Sequence, residues 1–137
     1  MGPLAHAIHA YVLLRRFCVQ CPHFQRVGDL SLLAGSPEDA YEHYREAFSL
    51  CKAAGDTLWC GGAMEGLAAA LVAHASAERR MHPGALFALN DAVGRCREAL
   101  TFYEATGAFE IVVQVQWRML GRLSSNLPPS CGDGTGR

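Results

Sequence analysis

Cys18, Cys21 and His23, with His6 and His9 upstream, are the first residues whose types could do chemistry. Thiolate and imidazole are the ligands tetrahedral zinc takes, and a Cys-x-x-Cys pair can share one ion. A closed site needs a second pair at suitable spacing, and no downstream Cys/His pair provides it. The motif therefore reads as ordinary helix-end residues, and a thioredoxin-type role lacks the strand that should precede it. Gly61-Gly62-x-x-x-Gly66 superficially resembles a phosphate loop, without the Lys-Ser/Thr or the upstream strand such a loop requires. Packing glycines inside a helix are the better reading. Glu38, Asp39, Glu42, Glu46 and Glu65 could be searched for an acid/base pair, but most fall on the wet side of a helix, where solvated surface is the default. His43 and His74 stand singly, and no His/Asp arrangement activates a serine. No catalytic residue, cofactor or metal site is assigned, and the chain is not expected to be an enzyme.

The elements that carry these residues are helices. From Gly28 to Leu67 the chain reads as helix, tight turn, helix, tight turn and the start of a third helix. Gly35 stands where the first turn needs a left-handed residue. Ser36-Pro37-Glu38-Asp39 supplies a hydroxyl N-cap, a proline at the first helical position and acids at the positive helix end, with capping-box spacing from Ser36 to Asp39. Ala40, Tyr44, Ala47, Phe48 and Cys51 then form an apolar stripe of helical period. Gly55 ends that helix and Asp56 is placed to cap the next.

Two antiparallel helices cannot bury both apolar faces alone, so further hairpins must stack beside them. Phe24, Val27, Gly28, Ala40, Tyr44 and Ala47 sit at the relative offsets of a tetratricopeptide unit. Ser31 replaces the later aromatic and Lys52 the closing proline, which makes the unit degenerate. Leu4 to Phe17 reads as a helix ending at Arg15 and Arg16, with a break from Cys18 to His23 because Pro22 disfavours helix before it. Phe24–Ala34 and Pro37–Ala54 are the paired helices. Thr57 to about Ala77 follows, with Trp59, Ala63, Leu67 and Leu71 as its packing edge. Gly61, Gly62 and Gly66 each cost a helix about 1 kcal/mol, so their face should meet a neighbouring backbone closely.

Glu78 to Asn90 reads as an inserted surface loop around Pro83-Gly84. Asp91 to Thr106 is a fourth helix that echoes the second, Ala92, Cys96 and Ala99 mirroring Ala40, Tyr44 and Ala47. The offset is about one repeat of 34 residues plus an insertion of about 18. Ala108 to Leu123 is a fifth helix, with a strand as the alternative because its start is β-branched. The expectation is an all-α, tetratricopeptide-like α-solenoid of about five helices. It fills residues 1–123, with the insertion at about 78–90, and residues 124–137 form a disordered tail by composition. Gly28, Ala40, Tyr44, Ala47, Trp59, Gly62, Gly66, Leu67 and Ala99 are its packing residues.

At 137 residues, half of them hydrophobic, the chain can build one helical domain. A net charge of −1 provides no basic stripe for nucleic acid. The six cysteines fall largely on helical faces, so buried free thiols in a reducing compartment are expected rather than a disulfide framework. Leu4 to Leu14 lacks a basic leader region and is too short to cross a bilayer. The reading is cytoplasmic, without direct membrane insertion.

Gly28-Asp29-Leu30-Ser31-Leu32-Leu33-Ala34-Gly35, Asp39-Ala40, His43-Tyr44 and Asp56-x-Leu58-Trp59-x-Gly61-x-Ala63-x-Glu65-Gly66-Leu67 resemble the helical repeat region of the NIBP family. These are large subunits of the transport protein particle II (TRAPPII) complex. The likeness is dense over Val27 to Ala70, about a third of the chain, and loose over Asp91 to Leu123. Thr57 replaces a usual aromatic, and family members are many times longer, so the chain resembles a fragment or a diverged relative. The resemblance implies a non-catalytic scaffold in vesicle tethering at Golgi or endosomal membranes. Its partners would be other tethering subunits, within a complex that regulates Rab-type GTPases. The alternative is a free-standing adaptor that binds a peptide or helix of a signalling or chaperone partner. The groove positions of such an adaptor would be Gln25, Asp29 and Leu32, which lack the lysines and asparagines that hold an acidic tail. Substitutions at Glu46 or Lys52 should alter partner binding at most.

Overall fold

The computed structural model describes residues 2–77, 83–107 and 109–124. Five helices occupy them: α1 Pro3–Leu33, α2 Pro37–Ala54, α3 Thr57–Ala77, α4 Pro83–Ala105 and α5 Phe109–Ser124. There is no strand among the described residues, so the fold is all-α and the β-branched start of α5 is helical. Each helix packs on its successor, and α1 also reaches α3.

Glycine closes three of the turns. Gly35, Gly55 and Gly107 have φ of +81°, +70° and +71°, a region costly for a residue with a Cβ. Behind Gly35 the Ser36 N–H donates to the Ser31 carbonyl at 2.9 Å, and behind Gly55 the Asp56 N–H donates to Cys51 at 3.0 Å. These bonds satisfy carbonyls that the helix ends leave free. Asp56 caps α3 by accepting from the Trp59 N–H at 3.2 Å. Ser36 makes no side-chain cap, so the expected capping box is absent; Pro37 at the first position and the acids Glu38 and Asp39 remain as the start signals.

Two boundaries differ from the sequence reading. The break expected at Cys18–His23 does not exist, because α1 runs unbroken through Pro22, and Arg15 and Arg16 lie mid-helix. Proline removes one intrahelical bond and costs about 3 kcal/mol. The packing of the following turns against α2 outweighs that cost: Cys21 is buried, Phe24 is half-buried, and Gly28 lies against Tyr44. The second difference is the insertion. Only residues 78–82 of Glu78–Asn90 lie outside the described residues, and from Pro83 onward the segment is the beginning of α4. Pro83-Gly84 reads as a turn in isolation, yet proline at a first helical position followed by Ala-Leu-Phe-Ala-Leu favours a helix start. The tail from residue 125 lies outside the described residues.

The core has two parts. Ala40, Tyr44, Met64, Leu67, Ala70, Ala99, Tyr103, Val112 and Val115 make the larger, and Cys21, Ala47, Cys51, Cys60 and Ala63 the smaller. Helix α3 contributes to both. It is long and apolar enough to cross a membrane by length and composition, but half of that window is buried between its neighbours, as a central helix requires.

The free-thiol expectation needs correcting for one pair. Cys21 of α1 and Cys51 of α2 are joined as a disulfide, with Cα atoms 6.0 Å apart, while Cys60 is a buried free thiol and Cys96 is half-buried. Two cysteines on facing helices come together only when the helices dock, which their separation of 30 residues does not announce. Burial, with Asp56 adding to it against Lys52, pushes the Cys60 thiol above its ordinary value and keeps it protonated.

Candidate interaction groove

Tyr44 and Tyr103 define the site, each by lying where a glycine has no side chain. The Tyr44 ring, 1% exposed, projects from α2 between Gly28 of α1 and Gly66 of α3. A Cβ on Gly28 would stand 2.8 Å from its Cε1, and one on Gly66 would stand 2.5 Å from the same atom. Tyr103 repeats the device from α4, with a Cβ on Gly61 falling 2.7 Å from its Cε1. Gly62 faces Gln25, whose Nε2 would lie 2.5 Å from an added Cβ. The glycines of α3 thus mark where three neighbours approach it.

Both hydroxyls then donate to carboxylates at a groove between α1 and α3. Tyr44 donates to Asp29 Oδ1 at 2.5 Å and Tyr103 to Glu65 Oε2 at 3.2 Å. Arg118 of α5 donates through Nε and Nη2 to the two Glu65 oxygens at 3.0 and 3.2 Å, a bidentate pair. Gln25 Oε1 is buried and has no hydrogen-bond partner among the described residues. The cavity measures about 270 Å³ and is lined by Gln25, Asp29, Leu32, Tyr44, Gly62, Glu65, Gly66, Ala69 and Tyr103. Burial, then the Glu65 carboxylate, pushes the Tyr103 phenol well above its ordinary value. The bond to Glu65 raises Arg118, with burial opposing it. The hydroxyl protons are spent on carboxylates, so the groove presents acceptors: it can bind donors and holds no activated nucleophile.

The sequence-derived positions fall as follows. Ala40, Ala47 and Ala99 are fully buried, Leu67 is 2% exposed and Gly28 is buried. Trp59 is different: at 38% exposed it belongs to neither core cluster. The buried face of α3 passes through Cys60, Ala63, Met64 and Leu67, so Trp59 lies off it, whereas Leu71 continues that row and is half-buried at the hollow between α2 and α3. Gln25, Asp29 and Leu32 come together in the groove. Glu65, one of five acids for which solvated surface is the default reading, anchors the network. Tyr103, not Cys96, plays the part of Tyr44 in the second hairpin, a match visible only once both rings are seen on glycines. Cys21 of the zinc-like motif is bonded to Cys51, and the side chain of Cys18 lies outside the described residues. Among the described residues no group of three or more His, Cys, Asp or Glu could hold a metal ion. His74 Nδ1 lies 3.4 Å from Glu38 at a second, mostly apolar hollow between α2 and α3. His43 stacks on Phe24 with ring centroids 6.3 Å apart.

Tyr103 gives the fold a specific alkaline limb. A phenol whose folded pKa is raised stabilises fully below its unfolded value near 10 and loses that contribution as pH rises above it. The stability advantage of wild type over Tyr103→Phe should therefore shrink by about 1.4 kcal/mol between pH 8 and pH 11. Urea unfolding of both proteins at the two pH values measures it. A difference that does not change with pH would show that Tyr103 is not held as the buried phenol.

The fold and groove define an all-α protein of packed helical hairpins with a polar groove along one face. Within that class, residues 20–82 match the model of the family described as Trs120/TRAPPC9, N-terminal domain. The chain is 50% identical over 52 residues to the trafficking protein particle complex II-specific subunit 120 homolog of Oryza sativa subsp. japonica, which covers 38% of this chain and 4% of that protein. It is 47% identical over 53 residues to the corresponding Arabidopsis thaliana protein, 39% of this chain and 4% of that one. Trafficking protein particle complex subunit 9 of Xenopus laevis is 48% identical over 50 residues, 36% of this chain and 4% of its own length. The resemblance to these large subunits stands over that stretch, and the matched region is about one twenty-fifth of each relative.

Proposed function

We propose that this chain is a non-catalytic protein-interaction scaffold of a vesicle-tethering complex. The observation that carries the reading is the match of residues 20–82 to a domain of trafficking particle subunits, because those residues supply most of the groove. Its partners are other subunits of such a complex, through which it takes part in regulating Rab-type GTPases. It works in the cytoplasm, peripheral to Golgi or endosomal membranes. The helices through residue 123 act as one tetratricopeptide-like stack, followed by a tail.

Gln25, Asp29 and Leu32 are the positions we assign to a partner. A carboxylate and an orphaned amide oxygen beside an apolar side chain suit a donor-bearing segment, since filling Gln25 Oε1 recovers a bond lost to burial. The test is reconstitution: purified chain mixed with recombinant trafficking particle subunits and resolved by size exclusion. A stoichiometric complex is expected, weakened at least tenfold by Asp29→Arg combined with Gln25→Ala. Failure to associate with any subunit would overturn the scaffold reading, whereas association indifferent to the double variant would remove only the groove.

A further inference from the structure

Over the first half of α1 the described side chains stay on the surface. Every described side chain from Pro3 to Gln20 is exposed, including Leu4 at 75%, Ile8 at 57%, Val12 at 48% and Val19 at 73%. At helical spacing Leu4, Ile8, Val12 and Val19 share one stripe. Eighteen residues span about 27 Å, far more apolar length than scattered surface leucines explain. Arg16 is exposed beside this stripe and lines a shallow apolar cleft with Val12 and Val19.

Charge says what covers it. No aspartate or glutamate occurs before Asp29, whereas Arg15, Arg16 and Arg26 all fall within that stretch, in a chain whose net charge is −1. A protein interface of ordinary composition would not require that asymmetry. An anionic lipid surface selects for it, with apolar side chains entering the acyl boundary and arginine stems reaching headgroup phosphates. We propose that residues 3–20 of α1 lie in the interface of an anionic membrane as a direct lipid-binding element. The helix lies on the membrane and does not span it, since His6, His9, Arg15 and Arg16 interrupt its apolar run. Residues 3–19 precede the matched stretch that begins at residue 20, so the inference goes beyond the tethering reading and is independent of it.

Flotation of the full chain with vesicles tests it, using phosphatidylcholine alone and phosphatidylcholine with 30% phosphatidylserine. The wild type is expected to float with the anionic vesicles and at least tenfold less with the neutral ones. Ile8→Glu/Val12→Glu should reduce flotation at least tenfold, and Arg15→Glu/Arg16→Glu should remove the preference for phosphatidylserine. Thermal melts of both double variants should match wild type, because Ile8, Val12 and Arg16 are exposed. Equal flotation of wild type and Ile8→Glu/Val12→Glu overturns the proposal. So does concentration-dependent dimerisation that the same variant abolishes, which would assign the stripe to a second copy of the chain.

Discussion

Ala47→Asp is expected to unfold the protein, at a cost of about 4 kcal/mol or more. Ala47 is fully buried where α1, α2 and α3 meet, among Cys21, Cys51, Cys60 and Ala63. None of these side chains carries a charge to pair with a carboxylate, and a helix position fixed on three sides cannot turn outward. A domain of this size is stable by only about 5–15 kcal/mol, so one uncompensated charge consumes much of its margin. Trp59→Asp is the matched control. The indole is 38% exposed and outside both core clusters, and its replacement should cost about 1 kcal/mol or less. Urea unfolding followed by far-ultraviolet circular dichroism measures both. A cooperative transition for Ala47→Asp at the wild-type midpoint would refute the three-helix junction, and unfolding by Trp59→Asp would restore the sequence expectation that this indole is a core residue.

The second large effect concerns the sign of a change that helix propensity alone predicts wrongly. Gly66→Ala in an isolated helix is worth about 1 kcal/mol of stabilisation. Here the added methyl would lie 2.5 Å from Tyr44 Cε1 and 2.8 Å from Cγ, so the clash includes the root of the ring and a small swing of its tip does not relieve it. Gly28 bounds the same ring on its other side, with a Cβ position 2.8 Å from Cε1. Overpacking of this kind costs about 1–3 kcal/mol, and the hydroxyl's bond to Asp29 is strained in the process. A net destabilisation of about 2 kcal/mol is expected for Gly66→Ala. In a Tyr44→Leu background the same substitution should be neutral or stabilising, giving a coupling of about 2 kcal/mol in a double-mutant cycle. Stabilisation of the otherwise wild-type protein by Gly66→Ala would show that the ring yields and that the glycine is not a packing device.

The groove has a consequence for how the last helix is held. Arg118 reaches Glu65 from α5, which also places Val112 and Val115 in the larger core. Its side chain is 49% exposed, so the pair orients α5 more than it stabilises it. The burial of Val112 and Val115 supplies the energy, and the bidentate geometry selects the rotation at which α5 settles.

Much of the fold was legible because helix grammar is local. The periodic stripe of α2, the left-handed glycines at 35 and 55 and the Asp56 cap depend on residues within a turn or two of one another. The glycines of α3 could be marked as close-approach positions for the same reason, since a helix that tolerates Gly61, Gly62 and Gly66 must be repaid by something nearby. Pro22 and Pro83 show the limit of local rules. Local grammar predicts a break at Pro22, where packing carries the helix through, and a turn at Pro83, where a helix starts.

The chain by itself therefore determined the class of fold, two of its glycine turns, most of its buried alanines and the family it resembles, each set by neighbours in sequence. Which tyrosine fills which glycine, that Glu65 faces a groove and not water, that Cys21 meets Cys51 and that Trp59 stays outside the core were decided only by docking the helices. Those outcomes depend on the rotation of each helix about its own axis. A few tens of degrees separate a buried position from an exposed one, and that angle is set by the summed packing of residues far apart in the chain.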